Sequence, residues 1–301
     1  MTEPWAAERV VDAELARQLV RSQFDLEADR VEPFGEGWDN TALLVDGEWL
    51  FRFPRRAVAV PLVELEIALL PSLAARGLGL AVPDPRHVGR PTARYPWPFA
   101  GYRLLRGRPA SDVELSSEAR GATAGPLGRF LRRLHDVPPS DAPGVAPEGL
   151  GRLDPARRAP LVRERLAKLD ATGDLPLPIG VFEAIVEEAP GAGPPRTLCH
   201  GDLYSRHLLV DERGALTSVI DWGDAHVGDS AVDLAIVASF LPASSRGAFV
   251  QEYGSIDAET WARARFRALI TATALVLYGK DRSDAAAARE GVWALRALGA
   301  S

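Results

Sequence analysis

The chain has 301 residues, 47% of them apolar, and a net charge of −6. That is enough apolar material for one large or two modest cores, and it leaves no basic stripe for a nucleic-acid partner. A single cysteine, Cys199, excludes an internal disulfide and suits a reducing compartment. Residues 1–15 carry acids early and lack the apolar stretch of a secretory signal, and the late apolar run 269–278 is too short to span a bilayer. A cytoplasmic protein with no membrane partner is expected.

Residues 12–24 read as an opening helix, with Asp12 placed to cap it and Leu15, Leu19 and Val20 on one face. A β pattern follows. Residues 31–34 lead into FGEGWDN, and residues 41–45 and 48–53 flank Asp46-Gly47, a two-residue hairpin signal ended by Pro54. Residues 63–73 return to helical spacing through Leu65, Leu69 and Leu73, with Pro71 predicting a kink or an early end. Strands are expected again at 85–88 and 99–105, and LLRGRPAS reads as a turn-rich crossing.

Beyond it the spacing turns helical. Leu127, Phe130, Leu131 and Leu134 make one stripe and residues 154–169 another, separated by a Pro- and Gly-rich loop at 137–151. Two short strands, 208–210 and 218–220, bracket a turn at Arg213-Gly214. From residue 232 onward the pattern is helical, with Gly254 and Gly279 read as breaks. The expected class is α+β, an antiparallel β lobe over 1–105 and a mostly helical lobe over 106–301.

The chemistry concentrates in HGD at 200–202 and IDWGD at 220–224. Asp202 and Asp221 each follow strand-like residues, so a strand-turn-strand between them would bring both carboxylates to one edge. Two carboxylates with separate duties suit phosphoryl transfer to a hydroxyl: one accepts the proton, the other holds the Mg²⁺ that neutralises phosphate charge. FGEGWDN falls short of a full G-x-G-x-x-G and adds only a partial phosphate loop. Cys199 points away from its neighbour His200 on a strand and reads as a small buried thiol. Asp229 and Asp233 read as capping and bracing a helix that begins near Val232. Lysine occurs only at Lys168 and Lys280, so any cation needed earlier must be arginine.

From FGEGWDN through FRFPRR, ELEIALLPSL, VPDP and FAGYRLLRG to HGDLYSRHLLVD and VIDWGDAHVGDSAVDLA, nearly the whole chain resembles the aminoglycoside and macrolide phosphotransferases. These are small-molecule kinases with the protein-kinase fold, and the likeness is nearest to the macrolide and 2″-aminoglycoside branches. The resemblance implies a bilobal fold with a nucleotide-binding lobe at 1–105 and a catalytic, substrate-binding lobe at 106–301. It implies Asp202 as the catalytic aspartate, Asp221 as the Mg²⁺ ligand, His200 as a structural histidine, and ATP or GTP as phosphate donor. Gly35 and Gly37 resemble a shortened phosphate-covering loop, and the backbone at Arg103 and Leu105 matches the segment that hydrogen-bonds the purine.

Arg52 stands where kinases place a phosphate-holding lysine, with Glu66, or else Glu64, as its carboxylate partner. Gly201 replaces an arginine that answers to activation-loop phosphorylation, so the resemblance implies an enzyme active as made. His207 occupies the place of an asparagine that ligates a second Mg²⁺. Imidazole is a poorer partner for that ion than oxygen, so direct ligation, a metal-bound water, a phosphate contact and simple packing all stay open. Asp224 matches an acid that touches substrate in the aminoglycoside branch.

The acceptor is expected to be a small hydroxylated molecule. Residues 225–301 carry equal numbers of acids and bases, including Arg263, Arg265 and Arg267, which favours a macrolide over a polycationic aminoglycoside. A small-metabolite kinase of the choline, homoserine or sugar-amine type is the alternative, and a non-catalytic nucleotide-binding protein a further one. The sequence does not set the oligomeric state or choose between ATP and GTP.

Overall fold

The computed structural model describes residues 7–37 and 39–300, without the side chain of Glu36. Contacts divide the chain into two compact units. The first holds the chain to Gly77 with Ala81–Leu105 and Trp222–Asp224, and the second holds Leu78–Leu80, Arg106–Asp221 and the remainder from Ala225.

The first unit is built on an antiparallel sheet of β1 (Val31–Glu36), β2 (Asn40–Val45), β3 (Trp49–Pro54), β4 (Pro85–Gly89) and β5 (Phe99–Arg103), in the order β1-β2-β3-β5-β4. Helix α1 (Ala13–Gln23) starts where Asp12 Oδ1 accepts the Leu15 N–H at 2.8 Å, the capping bond that helix starts favour. Its buried Ala16, Leu19 and Val20 join Phe51, Phe53, Tyr95 and Phe99 in one core. The Asp46-Gly47 hairpin forms with both residues in left-handed backbone, φ 52° and 71°. Val45 pairs with Trp49, so the connection holds three residues instead of the expected two.

Two other expectations change here. Gly35 lies inside β1, next to a register shift after Pro33, and not in an open loop. The tight return comes at Gly37, whose N–H bonds the Asn40 carbonyl at 3.0 Å; Trp38 of that motif lies outside the described residues. Helix α2 (Val60–Arg76) continues past Pro71 to a left-handed Gly77 cap, with no early end. Residues Ala57–Arg76 are long and apolar enough to cross a membrane by length and composition, with mean hydropathy 1.8. Val63, Glu66, Leu69, Leu70 and Leu73 of α2 are buried, and 33% of the apolar window is buried in the structure.

The second unit carries short strands and most of the helices. β6 (Arg108–Pro109), β7 (Thr197–Cys199), β8 (Leu208–Val210), β9 (Leu216–Val219) and β10 (His226–Gly228) form a three-stranded sheet in the order β6-β8-β9 and a β7–β10 pair. The helices are α3 (Ser117–Ala122), α4 (Ala124–His135), α5 (Pro155–Ala171), α6 (Ile179–Glu187), α7 (Ala231–Ser239), α8 (Arg246–Tyr253), α9 (Ala258–Asp281) and α10 (Ala285–Gly299). Their core joins Val162, Leu166, Phe182, Phe266, Leu269 and Leu295.

Gly254 ends α8 as expected, but Gly279 lies inside α9. A Cβ at Gly279 would stand 2.4 Å from the Ala288 nitrogen and 2.7 Å from the Asp284 carbonyl. The glycine is there because backbone of the next helix passes over it. Gly279→Ala is therefore expected to destabilise the protein by about 1–3 kcal/mol, the usual cost of overpacking, read as a lower urea midpoint at unchanged m. An unchanged midpoint would show that α10 yields freely.

Candidate active site

In the second unit, the chain leaves β7 at Cys199 and turns through His200 and Gly201. Both backbone N–H groups donate to Asp233 on α7, at 2.7 Å to Oδ2 and 2.9 Å to Oδ1. Gly201 sits at φ 92°, a backbone shape that L side chains rarely adopt. Asp233 thus braces this loop rather than capping its own helix, whose N-cap residue Ser230 makes no side-chain capping bond. Asp229 does bond the Ala231 N–H, at 2.9 Å, and pairs with Arg263 at 2.7 Å.

Burial alone would raise the Asp233 carboxyl, but His135, His200 and the loop N–H groups outweigh it and hold the carboxyl below its usual range. His135 reaches Asp233 Oδ2 at 3.2 Å and the Tyr253 hydroxyl at 2.8 Å. Cys199 lies close to both His135 and Asp233, and burial pushes its thiol well up, which keeps it protonated when no metal is bound.

His200 is fully buried. Its Nε2 lies 3.0 Å from the Ile220 carbonyl, and its Nδ1 accepts the Asp202 N–H at 3.3 Å. Burial lowers its pKa, which suits a neutral ring that ties the loop to the end of the β8–β9 hairpin.

Asp202 and Asp221 converge on His207. Nδ1 of His207 is 2.7 Å from the Asp202 carbonyl oxygen and 4.0 Å from its Oδ2, while Nε2 is 3.1 Å from Asp221 Oδ2. The His207 side chain is only 8% exposed, against 37% for Asp202 and 45% for Asp221. Asp221 adopts φ 68°, an uncommon conformation for a residue other than glycine. Burial pulls the His207 pKa down, but the hydrogen bond and charge of Asp221, with the charge of Asp202, outweigh it and raise it overall.

The donor set fits a divalent cation. With Nδ1–H on a backbone carbonyl, His207 presents Nε2 to Asp221 as a hydrogen-bond donor, and once that proton is lost Nε2 could share a divalent cation with Asp221. The 3.1 Å between Nε2 and Oδ2 is a hydrogen-bond distance, short enough that both atoms could reach one ion. Arg267 on α9 places Nη2 3.3 Å from Asp202 Oδ1, a contact between residues too far apart in the chain for spacing to suggest.

In the first unit, Arg52 Nη1 lies 2.8 and 2.9 Å from the two oxygens of Glu66. The Tyr102 hydroxyl donates to Oε2 at 2.8 Å, and the Trp222 N–H donates to Oε1 at 3.0 Å. Glu66 has a side chain 2% exposed, whereas Glu64 is exposed. Tyr102 was missed by sequence reasoning; the signal was a polar-tipped aromatic on a strand next to that of Arg52. Arg103 pairs with Glu48 at 2.6 Å and stacks 5.1 Å over Trp49. The Leu104 N–H beside it bonds the Glu48 carbonyl at 2.8 Å, and Leu105 follows. Asp224 is half-buried after Gly223, where a Cβ would press Leu62 at 3.0 Å.

A model of the phosphotransferase enzyme family matches residues 30–267. The chain is 25% identical over 228 residues to the uncharacterized protein YcbJ of Bacillus subtilis (strain 168), covering 71% of this chain and 70% of that one. Among solved structures it is similar to the GDP and kanamycin complex of APH(2")-IIia, with TM-score 0.63 and 24% identity over 93% of this chain and 96% of that chain, a likeness of fold. It is also similar to the macrolide 2'-phosphotransferase MphH from Brachybacterium faecium, with TM-score 0.58 and 27% identity over 94% and 98% of the two chains. The antiparallel sheet, the helical second unit and the paired aspartates thus have one explanation: the chain belongs to the phosphotransferase enzyme family, with its protein-kinase-like fold, and is an enzyme of phosphoryl transfer to hydroxyl groups.

Proposed function

We propose that the protein is an NTP- and Mg²⁺-dependent O-phosphotransferase that moves the γ-phosphate of ATP or GTP to a hydroxyl of a small molecule. The observation that carries this reading is the convergence of Asp202 and Asp221 on one buried histidine, at 4.0 and 3.1 Å. Residues 1–105 form the nucleotide-binding lobe and 106–301 the catalytic, acceptor-binding lobe, working in the cytoplasm.

Asp202 orients the acceptor hydroxyl and takes its proton. The acceptor oxygen forms its bond to the γ-phosphorus as the bond to the bridging oxygen breaks, and the nucleoside diphosphate leaves with that oxygen. Arg52, steadied by Glu66, grips the donor phosphates through its guanidinium. Gly35 and Gly37 supply backbone near the phosphates, and Arg103 and Leu105 supply it near the purine. Asp221 and His207 hold Mg²⁺, which when bound neutralises phosphate charge.

The relatives suggest an antibiotic-like acceptor of the macrolide or aminoglycoside kind, with Asp224 touching it. A small metabolite of the choline, homoserine or sugar-amine type is the second reading.

The test is thermal stability with Mg²⁺ and ATP or GTP, since a ligand of the native state raises its melting point, followed by phosphoryl transfer to antibiotic and metabolite panels. Nucleotide stabilisation and transfer are expected; the absence of both removes the reading. In the same assay His207→Asn, which offers an oxygen, is expected to keep activity within about tenfold and to shift the Mg²⁺ against Mn²⁺ preference. Metal dependence identical to wild type would make His207 a packing residue.

A further inference from the structure

Tyr204 lies two residues past Asp202 and meets His207 twice. Its carbonyl accepts the His207 N–H at 2.9 Å, and its ring stands edge-on to the imidazole, with centroids 4.4 Å apart and planes at 62°. The residue is half-buried. Among the described residues, no hydrogen bond reaches its hydroxyl.

The charges that act most strongly on this phenol belong to Asp202, Arg206 and Asp221, and each of them has a partner. Asp202 Oδ1 meets Arg267 at 3.3 Å, Arg206 meets Asp284 at 2.5 Å, and Asp221 Oδ2 meets His207 at 3.1 Å. What this loop leaves over is a neutral donor, carried on a ring that rests against His207.

The proposed reaction brings a partner for it. The acceptor hydroxyl bonds the γ-phosphorus while giving its proton to Asp202, so the moving phosphoryl group passes within a few ångströms of that carboxylate. Its three equatorial oxygens carry charge in the transition state. Ionised Asp202 and Asp221 accept hydrogen bonds and cannot donate them, whereas a phenol can. A donor already in place costs no reorganisation at the moment of reaction.

We propose that Tyr204 is a further catalytic residue, its hydroxyl donating a hydrogen bond to the phosphoryl group as that group moves from nucleotide to acceptor. This rests on the phosphotransferase reading. The bonds made and broken are unchanged: the acceptor oxygen joins phosphorus, the bridging oxygen leaves with the nucleoside diphosphate, and the acceptor proton goes to Asp202. The phenol keeps its own proton.

The experiment compares wild type with Tyr204→Phe, which deletes the hydroxyl and keeps the ring on His207. Thermal stability and the binding of Mg·ADP and Mg·GDP should stay the same, because the hydroxyl supports nothing in the resting protein. Turnover of ATP and GTP, to water and to the antibiotic and metabolite panels, should lose about tenfold or more in kcat at nearly constant nucleotide KM. The upper limit is the roughly 10²–10³ that one oxyanion donor is worth. Nucleoside diphosphate bound with Mg²⁺ and aluminium fluoride, a stand-in for the moving phosphoryl, should lose a similar factor in affinity. Equal kcat in the two proteins overturns the proposal. So does a loss confined to transfer to an acceptor, with hydrolysis and aluminium fluoride binding intact, which would place the phenol on the acceptor instead. A defect seen in Tyr204→Ala and not in Tyr204→Phe would also overturn it, leaving the ring as a support for His207. A wild type that turns over neither nucleotide under any of these conditions would remove the phosphotransferase reading itself, and this role with it.

Discussion

Asp202→Asn is expected to lower kcat for phosphoryl transfer by about 10²–10⁴-fold, the span attributed to a positioned general base. The substitution is nearly isosteric and spares the backbone contacts of residue 202, whose N–H bonds His200 Nδ1 and whose carbonyl meets His207 Nδ1. The brace from Asp233 to His200 and Gly201 is untouched. What goes is the charge that faces Arg267 and the group able to take the hydroxyl proton. Nucleotide-dependent thermal stabilisation should survive, separating lost chemistry from lost binding. The loss should fall on kcat more than on nucleotide KM, as for an interaction made in the transition state. A kcat within a few-fold of wild type would remove Asp202 from the proton path, and Asp221 would become the carboxylate to examine.

The same loop shows how far the sequence could be read. The hairpin of β8 and β9 was legible because Gly214 and short apolar runs are local signals, and Asp12 announced α1 by sitting three residues before the N–H it accepts. Local chemistry misled where tertiary packing decided. Gly279 carries the signature of a helix break, yet its missing side chain serves the passage of α10. Pro71 promised an end that α2 ignores. Asp233 looked like a helix cap because nothing in its neighbourhood shows that its carboxylate reaches back to the HGD loop. Arg267 stood in a run of three arginines, and only the fold separates the one facing Asp202 from the one paired with Asp229. Motifs held in one turn could be read in advance; their supports, brought from distant elements, could not.

Glu66 is such a support, and its removal is the largest stability effect expected. It is 1% exposed and accepts from Arg52, the Tyr102 hydroxyl and the Trp222 N–H, so one carboxylate ties α2 to β3, β5 and the residue after Asp221. Glu66→Ala leaves a guanidinium, a phenol and a peptide N–H without that acceptor. Breaking a buried pair from one side costs about 3–5 kcal/mol. The Arg52 side chain retains 20% exposure, so water can take up part of its charge and the lower end of that range is expected. Glu66→Gln should cost less, about 1–3 kcal/mol. Its amide oxygen can still serve Arg52 and Trp222, and its NH₂ can donate to Tyr102 if the phenol turns to accept. Tyr102→Phe alone should cost about 1 kcal/mol, and the Glu66→Gln, Tyr102→Phe double variant should lose less than the sum, because both sites share one hydrogen bond. Urea midpoints at constant m measure all four. Strict additivity would mean that the phenol and the carboxylate do not act as a unit, and a neutral Glu66→Ala would mean that Arg52 is held by other means.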